Sequence, residues 1–271
     1  MTASKVLITG AAGAIGRVLR AGLAGRYALL RLSDIAAQDP PDIGEEVDTT
    51  DVRDFAQVRR VVRGVDAIVH LGGIPTEGGW DEILSVNING TYNVFEAARL
   101  EGARRVVFAS SNHVTGYHRR ARRVDPSADL RPDSRYGVSK SAGEAIGRLY
   151  ADKYGLEVVC LRIGSFQPRP IDVRMLSTWI SHGDMVRLAT CALEAEPVHF
   201  EILYGVSANR RAIWDSPATA RFGYQPQDDA ETFAAELLAG GKAAAEPIGE
   251  RLFHGGSFCA MEFAGDRGRI D

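Results

Sequence analysis

Short apolar runs dense in branched residues alternate along this chain with stretches whose apolar residues recur every three to four positions. The runs read as buried strands and the stretches as amphipathic helices. KVLIT (residues 5–9) predicts a first strand, and AIGRVLRAGLAG (14–25) a helix with a glycine stop. YALLRLSD predicts a strand ending at Asp34, 54–63 a short helix, and DAIVHLGG a strand ending in glycines, with a further strand expected just before Asp51. A long helix over 80–101 leads into the strand RRVVFASS, and a helix over 134–154, with Pro132 and Asp133 as its start signals, leads into LEVVCLRIG. After Gly164 the pattern is irregular, then helical from about 177 to 194, with the strand VHFEILYG after it. The last thirty or so residues, rich in Gly and Ala, carry no legible period, and no internal repeat is present. Regular alternation of strand and helix predicts an α/β fold, a doubly wound parallel sheet with helices on both faces. Ligands bind such sheets outside the carboxyl ends of the strands, so the residues there carry the information.

Composition narrows the classes. The 271 residues are 45% hydrophobic and 25% charged, an ordinary globular balance. A formal net charge of -3 gives no bulk attraction for nucleic acid. Cys160, Cys191 and Cys259 are far apart, without CxxC spacing, and read as reduced thiols rather than a disulfide frame or a zinc site. The six histidines show no metal-ligand spacing, so no metal is expected. The N-terminus has no basic segment followed by a long apolar core, and no apolar run approaches a membrane span. A cytoplasmic protein without membrane attachment is expected.

The first strand ends in TGAAGAIG, where Gly10, Gly13 and Gly16 form G-x-x-G-x-x-G between a strand and a helix. Glycines allow the tight turn and let backbone N–H groups approach a pyrophosphate at the helix N-terminus. This is the fingerprint of a dinucleotide-binding Rossmann sheet. Asp34 ends the second strand, where a carboxylate accepts from both adenosine ribose hydroxyls and repels a 2′-phosphate, which favours NAD over NADP. Asp51 and Val52 follow the next strand, where an adenine contact is expected, although DTTDVRD also reads as a helix cap. The division expected is 1–163, mainly the NAD-binding core with the catalytic helix, and 164–271, a small substrate-binding C-terminal region, the two interleaved as one compact unit.

SRYGVSK places Tyr136 four residues before Lys140, one turn apart on a helix face. A phenol with a pKa near 10 is a poor base unless a neighbouring ammonium and a cationic cofactor support its phenolate. So supported, it can remove a hydroxyl proton while a hydride leaves the same carbon. With 8 Tyr and Lys only at positions 5, 140, 153 and 242, about 0.1 such pairs are expected by chance. FASSNH places Ser110 and Ser111 at the carboxyl edge of the sheet, where a hydroxyl can orient the substrate oxygen.

TGAAGAIG, NINGTYN, FASSNH and YGVSK follow one another as in the short-chain dehydrogenase/reductase superfamily, and the long region after the catalytic helix resembles its extended branch. The resemblance implies a catalytic set of Ser111, Tyr136 and Lys140. Tyr136 would be the base, Ser111 the hydroxyl-orienting partner, and Lys140 the group that holds the nicotinamide ribose and lowers the Tyr136 pKa. Asn87 would support the lysine through water or serve as a buried helix cap. The implied NAD contacts are Gly10, Gly13, Ala14, Ile15, Gly16, Asp34, Asp51, Val52, Leu71, Gly72, Tyr136, Lys140 and Ile163. More narrowly, HLGGI, FASSNHVTGY, RIGS, RMLSTWISHGD and the late GGSF resemble the NAD-dependent uronate dehydrogenases. That implies oxidation of the C1 hemiacetal of glucuronate or galacturonate to an aldarolactone, with the substrate held by Ser111, Asn112, His113, Tyr136, Ser165 and Arg174. One arginine for a carboxylate and several short polar groups for the ring suit such a sugar acid. The chain departs from the family at Pro75, where a serine is common; proline has no donor there. The rival expectations are a nucleotide-sugar epimerase or dehydratase of the same superfamily and a non-catalytic NAD sensor. The apolar faces of helices 80–101 and 134–154 suit either core packing or the interface of a homo-oligomer.

Overall fold

The structure, a computed structural model, describes residues 4–239 and 251–270. Residues 240–250, part of the Gly- and Ala-rich tail, lie outside the described residues. In chain order the elements are β1 (Lys5–Thr9), α1 (Ala14–Leu23), β2 (Leu29–Asp34), β3 (Glu45–Thr49), α2 (Phe55–Val62), β4 (Ala67–His70), α3 (Trp80–Ile83), α4 (Gly90–Glu101), β5 (Arg105–Ser111), α5 (Arg135–Tyr154), β6 (Glu157–Ile163), β7 (Ser165–Phe166), α6 (Met175–Thr178), β8 (Trp179–Ile180), α7 (His182–Glu194), β9 (Phe200–Gly205), α8 (Ala218–Arg221) and α9 (Ala234–Ala239).

Seven parallel strands form one sheet in the order β3-β2-β1-β4-β5-β6-β9. The chain winds outward from β1 to β3, then crosses back to lay β4 on the other side of β1, so the strand order reverses between β1 and β4. Adjacent loops diverge at that point and open a crevice at the carboxyl edge. The central strands are apolar on both faces because both faces are covered. One apolar cluster joins them to α1 and α7 through Leu19, Leu23, Leu188 and Leu193, and the other to α2, α4 and α5 through Val58, Val62, Phe95 and Tyr150. The polar EEVDT run, β3, stands at the edge. β9 and α7 come from beyond residue 163, so the sheet draws on both sides of that position. Among the described residues no helix is long and apolar enough to cross a membrane.

Local chemistry sets the helix boundaries. Asp54 caps α2 by accepting from the backbone of Ala56 and Gln57. The cap of α5 is Ser134, whose hydroxyl accepts from Gly137 N at 2.9 Å. Asp133, expected as a start signal, is turned elsewhere. Gly102 and Gly155 end α4 and α5 in the left-handed region. Two helical readings need correction. The expected helix from about 177 begins only at His182, after the cap Ser181. Trp179 is pulled into extended geometry: its Nε1 donates to Gln167 O (2.8 Å) and its carbonyl accepts from Ser207 N (2.9 Å) and Asn209 Nδ2 (2.7 Å). The helix expected over 80–101 is continuous in path but carries a π-helical stretch at Leu84–Asn89. Such an insertion re-aims side chains, and here it turns Asn87 inward.

Candidate active site

A cleft of about 850 Å³ opens at the carboxyl edge of β1, β2, β4, β5 and β6. Its nucleotide half is built from backbone. Gly10 has φ +71, and a Cβ there would lie 2.7 Å from Gly72 N; a Cβ on Gly16 would lie 2.4 Å from Gly10 O. Only glycines let β1, the loop and β4 approach so closely, and the space left open suits a pyrophosphate over the α1 N-terminus. Asp34 accepts from Ala12 N and Ala36 N, both at 2.9 Å. Each oxygen keeps a lone pair for a ribose hydroxyl, so the acid also ties β2 to the glycine loop. Asp51 is paired with Arg53 at 2.6 Å, which holds its carboxyl below the usual range. All thirteen expected cofactor positions line this one cleft, with Thr50, Ile74, Phe166 and Gln167 added to them.

Beneath it, Thr9 Oγ1 accepts from Gly72 N (3.2 Å) and pairs with His70 Nδ1 (2.7 Å), and His70 Nε2 meets Thr91 Oγ1 (3.2 Å). Burial, with the Lys140 charge adding, pushes His70 down to about 3, so the imidazole is neutral. Nothing in the local spacing signals this chain of contacts, because its members come from three separate regions, β1, β4 with the loop after it, and α4.

Tyr136, Lys140 and Ser111 line the cleft between its two halves. Tyr136 is 8% exposed and Ser111 4%. Lys140 Nζ lies 5.5 Å from the Tyr136 ring centroid and 5.1 Å from that of Phe108. The polypeptide alone moves the phenol opposite to the expected direction. Burial pushes Tyr136 up to about 12, with the Ser111 hydroxyl opposing and the Asp133 charge reinforcing the rise. The same burial pushes Lys140 down to about 8. Among the described residues no carboxylate pairs with Lys140, so its charge is available to an anion formed beside it. Asn87, expected near the lysine or as a cap, accepts from Ile74 N (2.8 Å) and donates to Ile74 O (3.0 Å) and Ser139 Oγ (3.1 Å). Ser139 Oγ in turn donates to Tyr136 O (2.7 Å), so Asn87 fastens the loop after β4 to the helix that carries the tyrosine. Ser110 is committed elsewhere: its hydroxyl donates to Glu144 (2.6 Å), which forms a buried ion pair with Arg162 (2.9 Å).

The other half, where the sugar is expected, is built from side chains. Asn112 and His113 follow β5 and line the cleft, whereas Ser165 and Arg174 stand behind its lining. The Asn112 amide, oriented with Nδ2 on Ile163 O (3.0 Å), accepts from Arg174 Nη2 at 3.1 Å and so links that arginine to the cleft wall. Arg174 also donates to His254 O (Nε 3.1 Å, Nη2 2.7 Å) and to Ser165 Oγ (Nη1 3.1 Å). Ser165 passes its own proton to Thr178 Oγ1 (2.8 Å). All these partners are neutral, and among the described residues Arg174 has no carboxylate in contact. Burial lowers its pKa, with the Arg120 charge adding to the fall and the Asp172 and Asp133 charges opposing it. His113 Nδ1 meets Asp133 Oδ2 at 2.7 Å, and its ring stacks on Phe258 at 3.9 Å between centroids. Phe258 belongs to the late GGSF segment, which folds back across the site. The sequence held no signal for the Asp133 and His254 contacts, which join positions 20 and 80 residues apart.

Three comparisons bear on this geometry. The profile of the NAD dependent epimerase/dehydratase family matches residues 6–182. A uronate dehydrogenase of Pseudomonas putida is 46% identical over 256 residues, 94% of this chain and 95% of that protein. An NAD-dependent glucose-6-phosphate dehydrogenase of Haloferax volcanii is 36% identical over 85% of this chain and 96% of its own. Among solved structures, a tyrosine-to-alanine mutant of a uronate dehydrogenase from Agrobacterium tumefaciens, complexed with NAD, superposes with a TM-score of 0.89 at 41% identity, covering 95% of this chain and 97% of that one.

Proposed function

The chain belongs to the NAD dependent epimerase/dehydratase family, and we propose that within it the protein is an NAD-dependent uronate dehydrogenase, oxidising C1 of glucuronate or galacturonate in ring form. The observation that carries this reading is Arg174: a buried guanidinium beside the catalytic cleft, held only by neutral groups. Leaving a buried charge unpaired is costly, and a sugar carboxylate is the anion that would pair with it. The uronate dehydrogenases at 46% and 43% identity support the same substrate class.

The glycine cradle and Asp34 fit NAD, which when bound supplies the hydride acceptor. Tyr136 takes the proton from the anomeric hydroxyl as the C1–H bond breaks, leaving a C1 carbonyl and hence the lactone. Ser111 orients the anomeric oxygen. Lys140, at 5.5 Å from the Tyr136 ring, stabilises the phenolate that burial otherwise disfavours. Asn112 and His113 hold ring hydroxyls, and Arg174 with Ser165 anchors the carboxylate. Pro75 lines the cleft without a donor.

A screen of purified protein for NAD reduction tests the reading. Glucuronate and galacturonate should give sustained NADH formation, and neutral hexoses, glucose 6-phosphate and UDP-sugars little. Turnover of a UDP-sugar without net NADH would establish an epimerase instead. For self-association we infer the outer face of α4 and α5, where Tyr92, Val138, Leu149 and Tyr154 are exposed; light scattering of a Leu149→Asp variant reads it. We place the enzyme in the cytoplasm, where free thiols such as Cys160 and Cys259 stay reduced.

A further inference from the structure

Asp133 is a buried carboxylate that the reaction described above does not use. Its side chain is 0% exposed. A Cβ on Gly116 or Gly255 would come within 1.9 and 1.8 Å of its Oδ2, so two glycines from distant segments leave the room it occupies. Oδ1 accepts from Ser134 Oγ at 2.7 Å. Oδ2 receives His113 Nδ1 at 2.7 Å and a weak contact from Cys259 Sγ at 3.8 Å.

A carboxylate oxygen only accepts, so the ring nitrogen that meets it carries the hydrogen. In neutral imidazole the other nitrogen is then an acceptor and not a donor. The His113 ring lines the cleft, and among the described residues no group bonds Nε2. Phe258 covers one face of the ring at 3.9 Å and Tyr136 meets it edge-on at 5.8 Å. A half-turn of the ring would leave the Asp133 carboxylate against a C–H, at the full cost of an unmet buried acceptor.

We propose that Asp133 is a positioning residue that locks His113 in the Nδ1–H tautomer, so that Nε2 accepts from one ring hydroxyl of the substrate and selects sugars that carry it. The proposal rests on the dehydrogenase reading and deepens it: of the groups facing the sugar, this one demands a donor. It also assigns His113 to recognition and not to proton transfer, which Tyr136 performs.

The test uses deoxy and fluoro analogues at C2, C3 and C4 of whichever acidic sugar turns over best. Fluorine cannot donate, so at one position both analogues should cost the wild-type enzyme about tenfold or more in kcat/KM. In Asp133→Asn an amide N–H can face Nδ1, and Nε2 becomes a donor. The fluoro analogue, which lacks only the donor, should then cost about threefold or less relative to the parent sugar. Comparing each analogue between variant and wild type cancels the electronic effect of fluorine on hydride loss. A merely structural aspartate would lower activity on all sugars alike. An unchanged fluoro penalty at every position in Asp133→Asn, with NADH binding retained, overturns the proposal. Should that variant fail to fold, His113→Ala decides: the penalty must vanish at the same single position, and its persistence overturns the proposal equally. Absence of turnover on any uronate would instead sink the substrate reading, since the series can be built on another acidic sugar.

Discussion

The two halves of the cleft are made differently. The nucleotide half is backbone held at close range: Gly10 and Gly72 follow strands that the sheet register places side by side, Gly16 in the first turn of α1 packs on the same loop, and Asp34 binds the loop it helps to shape. The sugar half is side chain held at long range: Asn112, Ser165, Arg174 and His254 lie on four segments joined by hydrogen bonds between neutral groups and one guanidinium. A backbone site recognises what all dinucleotides share, and its form follows from local sequence. A side-chain site can be retuned residue by residue without disturbing the sheet. Chemistry for many substrates can therefore be mounted on one cofactor cradle.

The largest effect should come at the seam, where Tyr136 faces both halves. Tyr136→Phe is expected to lower kcat by about 10²- to 10⁴-fold, the usual cost of a general base, with the NADH dissociation constant nearly unchanged by fluorescence titration. Retention of turnover within tenfold would remove the phenol from the chemistry. The wild-type rate should also rise from neutral toward alkaline pH, because burial holds the phenol up at about 12 and more phenolate forms as pH rises.

Next comes the sugar half alone. Arg174→Ala should reduce kcat/KM for a uronate about 100-fold, the scale of lost hydrogen bonds to a charged group, and for the matching neutral hexose far less. Equal losses would mean that the guanidinium only supports the fold through His254 and Ser165. The converse applies to the nucleotide half: Asp34→Ala should weaken NADH binding about tenfold while leaving the ranking of sugars intact. A change in that ranking would show the halves to be coupled.

The smallest effect concerns stability. His70 is held down at about 3 and His254 at about 4, both chiefly by burial. Unfolded histidines titrate near 6.5. As pH falls below that value the unfolded chain takes up protons that the folded chain refuses, so stability is lost progressively toward pH 4. Urea midpoints between pH 6.5 and 4.5 should decline, and His70→Gln should remove about one proton from the slope, near 1.4 kcal/mol per pH unit. An unaltered slope would place His70 outside the linkage.

The strand–helix alternation, the glycine turn, the acid after β2 and the Tyr–Lys pair were all legible in the amino-acid order. Each depends on neighbours within a turn or a strand, where periodicity is the physics. The start of α7 was misplaced because Trp179 is drawn out of helical geometry by residues near 167 and 207. Asn87 was left open between two roles, because its partner Ser139 lies 52 residues away.

Linear order thus determined the sheet, the cofactor cradle and the reactive pair, since backbone conformation and side-chain period are local properties. Tertiary structure alone decided how deeply Tyr136 and Lys140 are buried, and hence that both are pushed toward neutrality. It alone brought Asp133 to His113 and the His254 carbonyl to Arg174. Those outcomes depend on which distant segments exclude water from a given point, and burial is a property of the assembled fold that no local pattern encodes.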